Sequence, residues 1–470
     1  MFEKELFRPP APTPNGRTLG LFQVLATLRR NPLECFSEEH FNEPIATVRL
    51  PIGQVLLVHE PTAIRHVLLD NATNYRKDPL QRRVLSAGQG EGLLSAEGEQ
   101  WQAQRRTLAP LFARRTVIGF APAMQAAAQG VVERWRQFAS GSVIDVAAEM
   151  ALVTLNVLAL TIFSDGIIDD LDEFRRATSA YFGVIGRIGA LDLFGVPEYV
   201  PRPGRARLHE TLAYFDNLID GLISRRREMM ARSPDHAPAD LLTLLLRALD
   251  PSTQRPMNIA EVKSNILTFL SAGHETTANS LTWSLFLLSQ SPEWRARVEA
   301  EVDAEMAGPA EGLAERLVVT RAVIDEAVRL YPPIAAMSRI ADGPDQLGSY
   351  QVKRRTLIVM APYVLHRHRK LWDRPDVFDP RRFLGEEKQR VDRFAYMPFG
   401  AGVRTCIGST FALQEATLVL AALVKNFKMQ LSPDARVWPM LRVTLRPENG
   451  LPMLIEPRQP ARRMAEATAG

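Results

Sequence analysis

The segment from Asn258 to Ser289 constrains the fold of this 470-residue chain more than any other, because it predicts a single unbroken helix. Asn258 and Glu261, three residues later, form a capping pair that predicts where the helix begins. At about 1.5 Å per residue such a helix is roughly 50 Å long. We therefore expect it to cross the whole molecule.

The middle of this helix, FLSAGHETTANS, has an unusual composition. Gly273 is costly inside a helix, by about 1 kcal/mol relative to alanine. Glu275 and Thr276 follow it, and both are uncommon in a buried segment. Two interpretations are open: a bend whose polar groups are satisfied, or a widened helix beside a ligand, where an acid and an alcohol relay protons.

The segment from Tyr396 to Gly408, YMPFGAGVRTCIG, holds Cys406, one of two cysteines in the chain. Its glycines predict a tight loop, and the apolar run after Gly408 predicts a helix. A thiol at or beside a helix N-terminus is in a position that favours the thiolate. The other cysteine, Cys35, has no glycine loop and is interpreted as an ordinary, partly buried thiol.

Composition narrows the functional classes. The 57 basic and 53 acidic residues are well mixed, with a net charge of +4, which argues against a nucleic-acid partner. Two cysteines argue against a disulfide framework and indicate a reducing compartment. The N-terminus lacks the apolar core of a signal peptide. The apolar stretch from Val143 to Phe163 contains Asp145 and Glu149, so we expect a buried helix, no membrane span and a cytoplasmic protein.

Strand and helix patterns predict a mainly α fold with a small β-rich lobe. IATVRL at 45–50 and QVLLVHE at 54–60 predict paired strands, LRVTLR at 441–446 another strand, and TLRPENGLPM at 444–453 a hairpin with an Asn-Gly turn. The predicted divisions are an extended lead-in (1–20), one main domain (21–458; β-rich lobe mainly 45–60, 338–360 and 427–457, helical lobe mainly 98–335 and 406–426) and a flexible tail (459–470).

Two further motifs supply charged side chains. Glu326 and Arg329, in RAVIDEAVRLYPP, lie three residues apart on one helix face, and FDPRRF offers Arg382 as a second arginine for the same carboxylate. A third set combines an aromatic ring with arginines that suit an anionic ligand: Trp101 and Arg105, four residues apart, with Arg339 and Arg404.

These motifs occur in the order WQAQR, AGHETT, EAVR, FDPRRF and FGAGVRTCIG. That order resembles the cytochrome P-450 superfamily of haem-thiolate monooxygenases, over nearly the whole chain. The cysteine loop matches the family pattern Phe-x-x-Gly-x-Arg-x-Cys-x-Gly from Phe399 to Gly408. The resemblance implies a cytochrome P-450 fold in a single haem domain, with haem b (iron protoporphyrin IX) as cofactor and O2 as co-substrate.

The resemblance also implies a role for each motif. Cys406 would be the axial ligand of the haem iron, with Phe399 packed over its sulfur. Glu275 and Thr276 would deliver protons, and Ala272 and Gly273 would form the groove for O2. The remaining roles are a buried structural triad (Glu326, Arg329, Arg382), a set of haem-propionate donors (Trp101, Arg105, Arg339, Arg404) and a substrate pocket (Phe269, Ala272, Ile334, Ala335, Met337, Val443).

The expected activity is insertion of one oxygen atom from O2 into a lipophilic small molecule, by hydroxylation or epoxidation. Electrons would come from NAD(P)H through a separate ferredoxin and ferredoxin reductase, or a flavodoxin-type donor, to a monomeric enzyme. The alternatives are a peroxygenase driven by H2O2, which the presence of Glu275 and Thr276 disfavours, and a haem-thiolate ligand sensor without turnover. His274 is expected to point away from the iron, and His366 and His368 to be surface or loop residues.

Overall fold

Helices dominate the structure, a computed structural model that describes residues 6–17, 19–50, 53–79, 90–164, 171–184 and 205–458. In chain order the α-helices are α1 (Leu21–Arg30), α2 (Glu38–Asn42), α3 (Pro61–Arg65), α4 (Gly98–Leu108), α5 (Arg114–Ile118), α6 (Ala121–Arg136), α7 (Val146–Phe163), α8 (Leu171–Val184), α9 (Arg205–Arg232), α10 (Leu241–Arg247), α11 (Ile259–Ser289), α12 (Pro292–Glu305), α13 (Leu313–Arg316), α14 (Val318–Leu330), α15 (Pro362–Leu365), α16 (Gly385–Arg390) and α17 (Ser409–Asn426). This agrees with the predicted mainly α class.

Short strands form small sheets beside the helices. They are β1 (Ile45–Leu50), β2 (Gly53–Val58), β3 (Tyr75–Lys77), β4 (Ser142–Asp145), β5 (Met337–Ala341), β6 (Asp345–Leu347), β7 (Tyr350–Val352), β8 (Leu357–Met360), β9 (Phe427–Leu431), β10 (Pro439–Leu441), β11 (Leu445–Pro447) and β12 (Pro452–Pro457). The largest sheet has the order β1-β2-β8-β5-β3, and a second has the order β4-β12-β9. β1 and β2 are antiparallel, with Ile45 opposite Val58, which confirms the predicted pairing.

Helix α11 is continuous over 31 residues and is buried along most of its second half. Asn258 caps it: the Asn258 side chain accepts from the Glu261 N–H at 2.9 Å, and the Glu261 carboxylate accepts from the Asn258 N–H at 3.0 Å. Both predictions, the helix and its start, are confirmed. Helices α7, α14 and α17 pack around α11, so this helix is the structural centre of the helical part.

Helix α7 is a core helix. Among the described residues it is the one helix long and apolar enough to cross a membrane by length and composition, and 61% of it is buried inside the protein. A helix that is apolar on all sides must be covered in this way. The buried helix predicted in this stretch is thus confirmed, although Val143 lies outside it, half-exposed in strand β4.

The predicted hairpin at 444–453 is wrong, and so is the strand at 441–446. Strand β11 pairs with β10 across a turn at 442–444, whereas β12 pairs with β4 and β9. Gly450 has a φ of +74°, but a Cβ atom there would lie 2.5 Å from an Asp145 carboxylate oxygen. The Asn-Gly pair therefore does not form the turn of a hairpin. It allows the backbone to pass close to Asp145, which accepts from the Leu451 N–H at 2.8 Å.

A fully buried ion pair lies within α14. The Glu326 carboxylate accepts from Arg329 Nε at 2.6 Å and from Arg329 Nη2 at 2.8 Å. Arg382 approaches the same carboxylate at 3.6 Å, and its own Nη2 donates to the Arg374 carbonyl at 3.0 Å. The structure brings together the three residues that the sequence analysis grouped, with Arg382 as the more distant partner.

His366 and His368 lie in the turn that follows α15, which agrees with the loop alternative, but both are buried, so the surface alternative is wrong. His366 donates from Nδ1 to the Arg329 carbonyl at 3.3 Å and accepts at Nε2 from the Met397 N–H at 2.9 Å. Burial lowers the pKa of His366 to about 3, which keeps the ring neutral, as this acceptor role requires. The imidazole thus links the end of α14 to the chain that leads into the cysteine loop.

Candidate active site

The loop that carries Cys406 depends on one glycine. Gly402 has a φ of +71°, and a Cβ atom there would lie 2.0 Å from the Leu68 carbonyl oxygen, so no other residue fits this close approach. The Cys406 N–H then donates to the Phe399 carbonyl at 2.8 Å. The Gly408 N–H donates to the Cys406 sulfur. The loop therefore fixes the thiol just before α17 begins at Ser409.

The Cys406 thiol is exposed, but to an internal cavity that it lines, and the surrounding protein still desolvates it. Desolvation raises the pKa of this thiol, and the Gly408 N–H and the Arg105 charge oppose the rise without cancelling it. The loop and the helix terminus therefore do not by themselves outweigh the desolvation of the predicted thiolate. A metal cation at the sulfur would supply the missing stabilisation.

One cavity of about 380 Å³ joins the cysteine loop to the middle of α11. Its size is within the usual range for small-molecule sites. Ala335 is not on its wall: this residue is buried in the core, and its carbonyl accepts from the Tyr363 N–H at 3.2 Å. The predicted site residues that do line the cavity are Trp101, Arg105, Phe269, Ala272, Gly273, Glu275, Thr276, Ile334, Met337, Arg339, Phe399, Arg404, Cys406 and Val443.

Three arginines from different parts of the chain line this cavity: Arg105, Arg339 and Arg404. Their surroundings indicate whether an anionic cofactor fits there. Arg404 pairs with Glu97 at 2.6 Å and stacks over Trp101 at 4.1 Å. Desolvation lowers the pKa of Arg105 and Arg404, and that of Arg339 to about 10. Guanidinium groups that are shielded from water in this way need anionic partners. The cavity therefore suits a group that carries carboxylates at one edge and a metal near Cys406.

On the other side of the cavity, α11 is continuous through Gly273. A Cβ atom at Gly273 would lie 3.1 Å from Leu158 of α7, which shows why a small residue is needed at this helix crossing. Thr276 Oγ1 donates to the Ala272 carbonyl at 2.7 Å, in the position predicted for an oxygen-binding groove. The hydroxyl therefore lies on the cavity wall with its proton engaged by the helix.

Glu275 lies beside Thr276 on the same wall and is largely buried. Desolvation raises the pKa of its carboxyl group, while Arg446 and Thr444 act in the opposite direction. His274 points the other way, as predicted: its Nε2 donates to the Ala151 carbonyl of α7 at 2.9 Å, and burial lowers its pKa to about 4. The acid and the alcohol therefore both lie on the cavity wall, next to each other in α11.

Sequence reasoning missed several polar residues of the site. Glu97 pairs with Arg404, and Thr277 is buried on the cavity wall, where its hydroxyl has no hydrogen-bond partner among the described residues. Thr444 and Arg446 reach Glu275 from the β10–β11 hairpin. Glu97 precedes the WQAQR motif by only a few residues, so its position was a usable signal. For the hairpin residues the sequence contained no such signal, because the hairpin itself was placed wrongly.

The site combines three features: a thiol that a metal would stabilise, arginines that suit carboxylates, and an acid–alcohol pair on the facing helix. This combination is typical of a haem-thiolate oxygenase. A model of the cytochrome P450 family matches residues 9–454. Cyclooctatin synthase and cyclooctat-9-en-7-ol 5-monooxygenase of Streptomyces melanosporofaciens are 31% and 32% identical, over 95% and 96% of this chain and 95% and 97% of theirs. The chain therefore belongs to the cytochrome P450 family.

Two further comparisons agree. Pentalenene oxygenase of Streptomyces avermitilis is 28% identical over 92% of this chain and 94% of its own. The crystal structure of the cytochrome P450DA haem domain has a TM-score of 0.82 at 26% identity, covering 96% of this chain and 98% of that one. The predicted fold and enzyme class are confirmed: the protein is a cytochrome P450 monooxygenase, with haem as its cofactor and O2 as a reactant.

Proposed function

We propose that this monooxygenase oxidises a cyclic, unsaturated and largely hydrocarbon molecule of terpenoid type. The observation that carries the proposal is the single cavity with Cys406 on one wall, Glu275 and Thr276 on the other, and mostly apolar side chains between them. Such walls select a lipophilic ligand and leave orientation to a few polar groups. The apolar lining includes Phe112, Leu158, Tyr181, Phe269, Ile334, Met337 and Val443.

The names of the relatives support this substrate class. One acts on cyclooctat-9-en-7-ol, whose name denotes an unsaturated alcohol, and another on pentalenene, whose name denotes an alkene. Fatty acids, steroids and simple aromatics remain the competing classes from the sequence. We favour the cyclic hydrocarbon because such a substrate has no carboxylate that would need a cationic partner. The cavity arginines Arg105, Arg339 and Arg404 are assigned to the cofactor.

In this proposal Cys406 would bind the haem iron, with the Gly408 N–H tuning the sulfur and the Phe399 carbonyl holding the Cys406 N–H. Trp101 and the three cavity arginines would hold the haem propionates. The bound haem supplies activation of O2 and transfer of one oxygen atom to the substrate. Thr276 holds a hydroxyl at the site of reaction, and Glu275 exchanges protons between that hydroxyl and water. Glu326, Arg329 and Arg382 keep their structural role.

Electrons are proposed to come from NAD(P)H through a separate ferredoxin-type or flavodoxin-type protein in the cytoplasm. A more open depression of about 480 Å³ lies behind the cysteine loop, and Arg321, Arg393 and Val403 are among its lining residues. It offers the Arg393 guanidinium and the exposed apolar side chain of Val403 beside the cysteine loop, whereas Arg321 is paired with Asp325 of the same lining at 3.1 Å. An acidic electron carrier would match such a surface.

We expect the haem-loaded protein to oxygenate a cyclic terpene alkene when it is supplied with NAD(P)H, ferredoxin and ferredoxin reductase. Product is measured by mass spectrometry, with 18O2 to show the source of the oxygen atom. Product with H2O2 but none with the electron donors would favour a peroxygenase. A spectral shift on binding with no oxygenated product from any donor would favour a ligand sensor.

Replacing Thr276 by alanine is expected to uncouple electron use from product formation. The hydroxyl that donates to the Ala272 carbonyl is removed, and proton delivery loses its last positioned group. We expect about 10-fold less product per NAD(P)H consumed, with the balance appearing as H2O2. Thr282→Ala is the matched control, because the Thr282 hydroxyl makes the same kind of hydrogen bond, to the Ala278 carbonyl at 2.7 Å, on α11 but outside the cavity lining. Full coupling in Thr276→Ala would remove Thr276 from the relay.

A further inference from the structure

The relay acid belongs to a row of side chains that faces the β10–β11 hairpin. Glu275, Asn279 and Trp283 lie four residues apart on α11, so they form one ridge along the helix. The Asn279 side chain donates to Thr444 Oγ1 at 3.0 Å, and Trp283 Nε1 donates to the Leu445 carbonyl at 3.0 Å. The hairpin therefore runs along this ridge, with Glu275 at the end nearest the cavity.

The hairpin is held firmly at one point. The Leu445 N–H donates to the Pro333 carbonyl at 2.9 Å, while its carbonyl accepts from Trp283. Val443 and Thr444, just before this anchor, line the cavity. Arg446, just after it, lies beside Glu275. The same hairpin thus contacts the cavity through its turn and the Glu275 carboxylate through strand β11.

The contact between Arg446 and Glu275 is loose. Arg446 Nη1 lies 3.4 Å from Glu275 Oε1, and the Arg446 side chain is 49% exposed. The structural pair Glu326–Arg329 differs in both respects, with a 2.6 Å contact and no exposure. An ion pair with one long contact and a half-exposed arginine contributes little to the free energy of unfolding. The position of the Arg446 charge is therefore not explained by stability.

We propose that Arg446 is a positioning residue for the relay: from the hairpin it holds the Glu275 carboxylate toward its own half-exposed guanidinium, on the solvent side of the acid. This inference rests on the proposed role of Glu275. Arg446 is the charged group that acts on Glu275; its other polar neighbour on the hairpin is the Thr444 hydroxyl. His274, next in sequence, is directed at Ala151 of α7.

The sign of the effect follows from the charges. Arg446 stabilises the ionised carboxylate and so lowers the pKa of Glu275 against the rise that desolvation causes. Removing the guanidinium should move the protonation midpoint of Glu275 to higher pH. Because Arg446 is half-exposed, high salt should move the midpoint of the wild-type protein in the same direction.

The test is a pH titration of the Glu275 carboxyl by infrared spectroscopy of the haem-loaded ferric protein. The spectrum of Glu275→Gln is subtracted to isolate this group. We expect a higher midpoint in Arg446→Gln than in wild type, a near-wild-type midpoint in Arg446→Lys, and a salt effect in wild type that Arg446→Gln lacks. The pH profile of product per NAD(P)H should move with the midpoint.

Arg442→Gln is the matched control on the same hairpin, because Arg442 donates to the Arg30 carbonyl, away from Glu275. We expect it to leave the midpoint unchanged. Equal midpoints in wild type and Arg446→Gln, or the same shift in Arg442→Gln, would overturn the inference. If Glu275→Gln leaves coupling unchanged while Arg446→Gln shifts the midpoint, the relay role fails but the Arg446 contact stands.

Discussion

The Cys406→Ser variant is expected to lose the strongly red-shifted Soret band that the reduced, CO-bound wild-type protein gives. Serine nearly matches cysteine in shape, so the Phe399 carbonyl can still accept from residue 406 and Gly402 still fits under Leu68. The loss would therefore reflect the ligand atom rather than the loop. A neutral hydroxyl does not push electron density onto iron as a thiolate does, so monooxygenase turnover should fall to background.

The other cysteine provides the control. Cys35 is a half-buried thiol whose pKa is raised to about 11 by desolvation, with Glu34 adding to the rise. It lies in the N-terminal part of the chain, outside the cavity lining. Cys35→Ser should keep the red-shifted band and the turnover of the wild type. A retained band in Cys406→Ser, measured at equal haem content, would show that the axial ligand is another residue.

Features that depend on nearby residues were predictable from the sequence. The cap at Asn258 depends on Glu261, three residues away, and the placement of Trp101 and Arg105 on one helix face depends on a spacing of four. These patterns are local, so short stretches of sequence contain all of the information they need. The meeting of Cys406, Glu275 and Thr276 at one cavity was expected from the resemblance of the motif order to a known family.

Features that depend on distant residues were not predictable. Gly450 has the backbone angle of a turn, but the reason is Asp145, about 300 residues earlier in the chain. Ala335 is small and next to the cavity residue Ile334, yet its carbonyl is turned to Tyr363. The sequence predicted His366 to be a surface or loop residue. In the structure it is a buried hydrogen-bond acceptor, because the Met397 N–H donates to its Nε2. The raised pKa of Cys406 likewise depends on burial, which no local pattern contains.

Replacing Glu326 by glutamine is expected to destabilise the fold by about 3–5 kcal/mol, because it leaves a buried charge without its partner. Arg329 is 0% exposed and cannot reach water. Its Nη1 already donates to the His366 and Pro375 carbonyls, so neutral acceptors remain but no anion does. Total stabilities are about 5–15 kcal/mol, so the haem-loaded protein should unfold at a markedly lower urea concentration.

An ion pair at the surface provides the control, because it shows what the loss of a carboxylate costs when the remaining charge is exposed to water. Glu387 lies 2.6 Å from Arg390, with both side chains more than half exposed, and Glu387→Gln should change the free energy of unfolding by less than about 1 kcal/mol. The double variant Glu326→Gln/Arg329→Met should be more stable than Glu326→Gln alone, since it removes the unpaired charge. If the double variant is the less stable of the two, the hydrogen bonds of Arg329 to the backbone outweigh its charge.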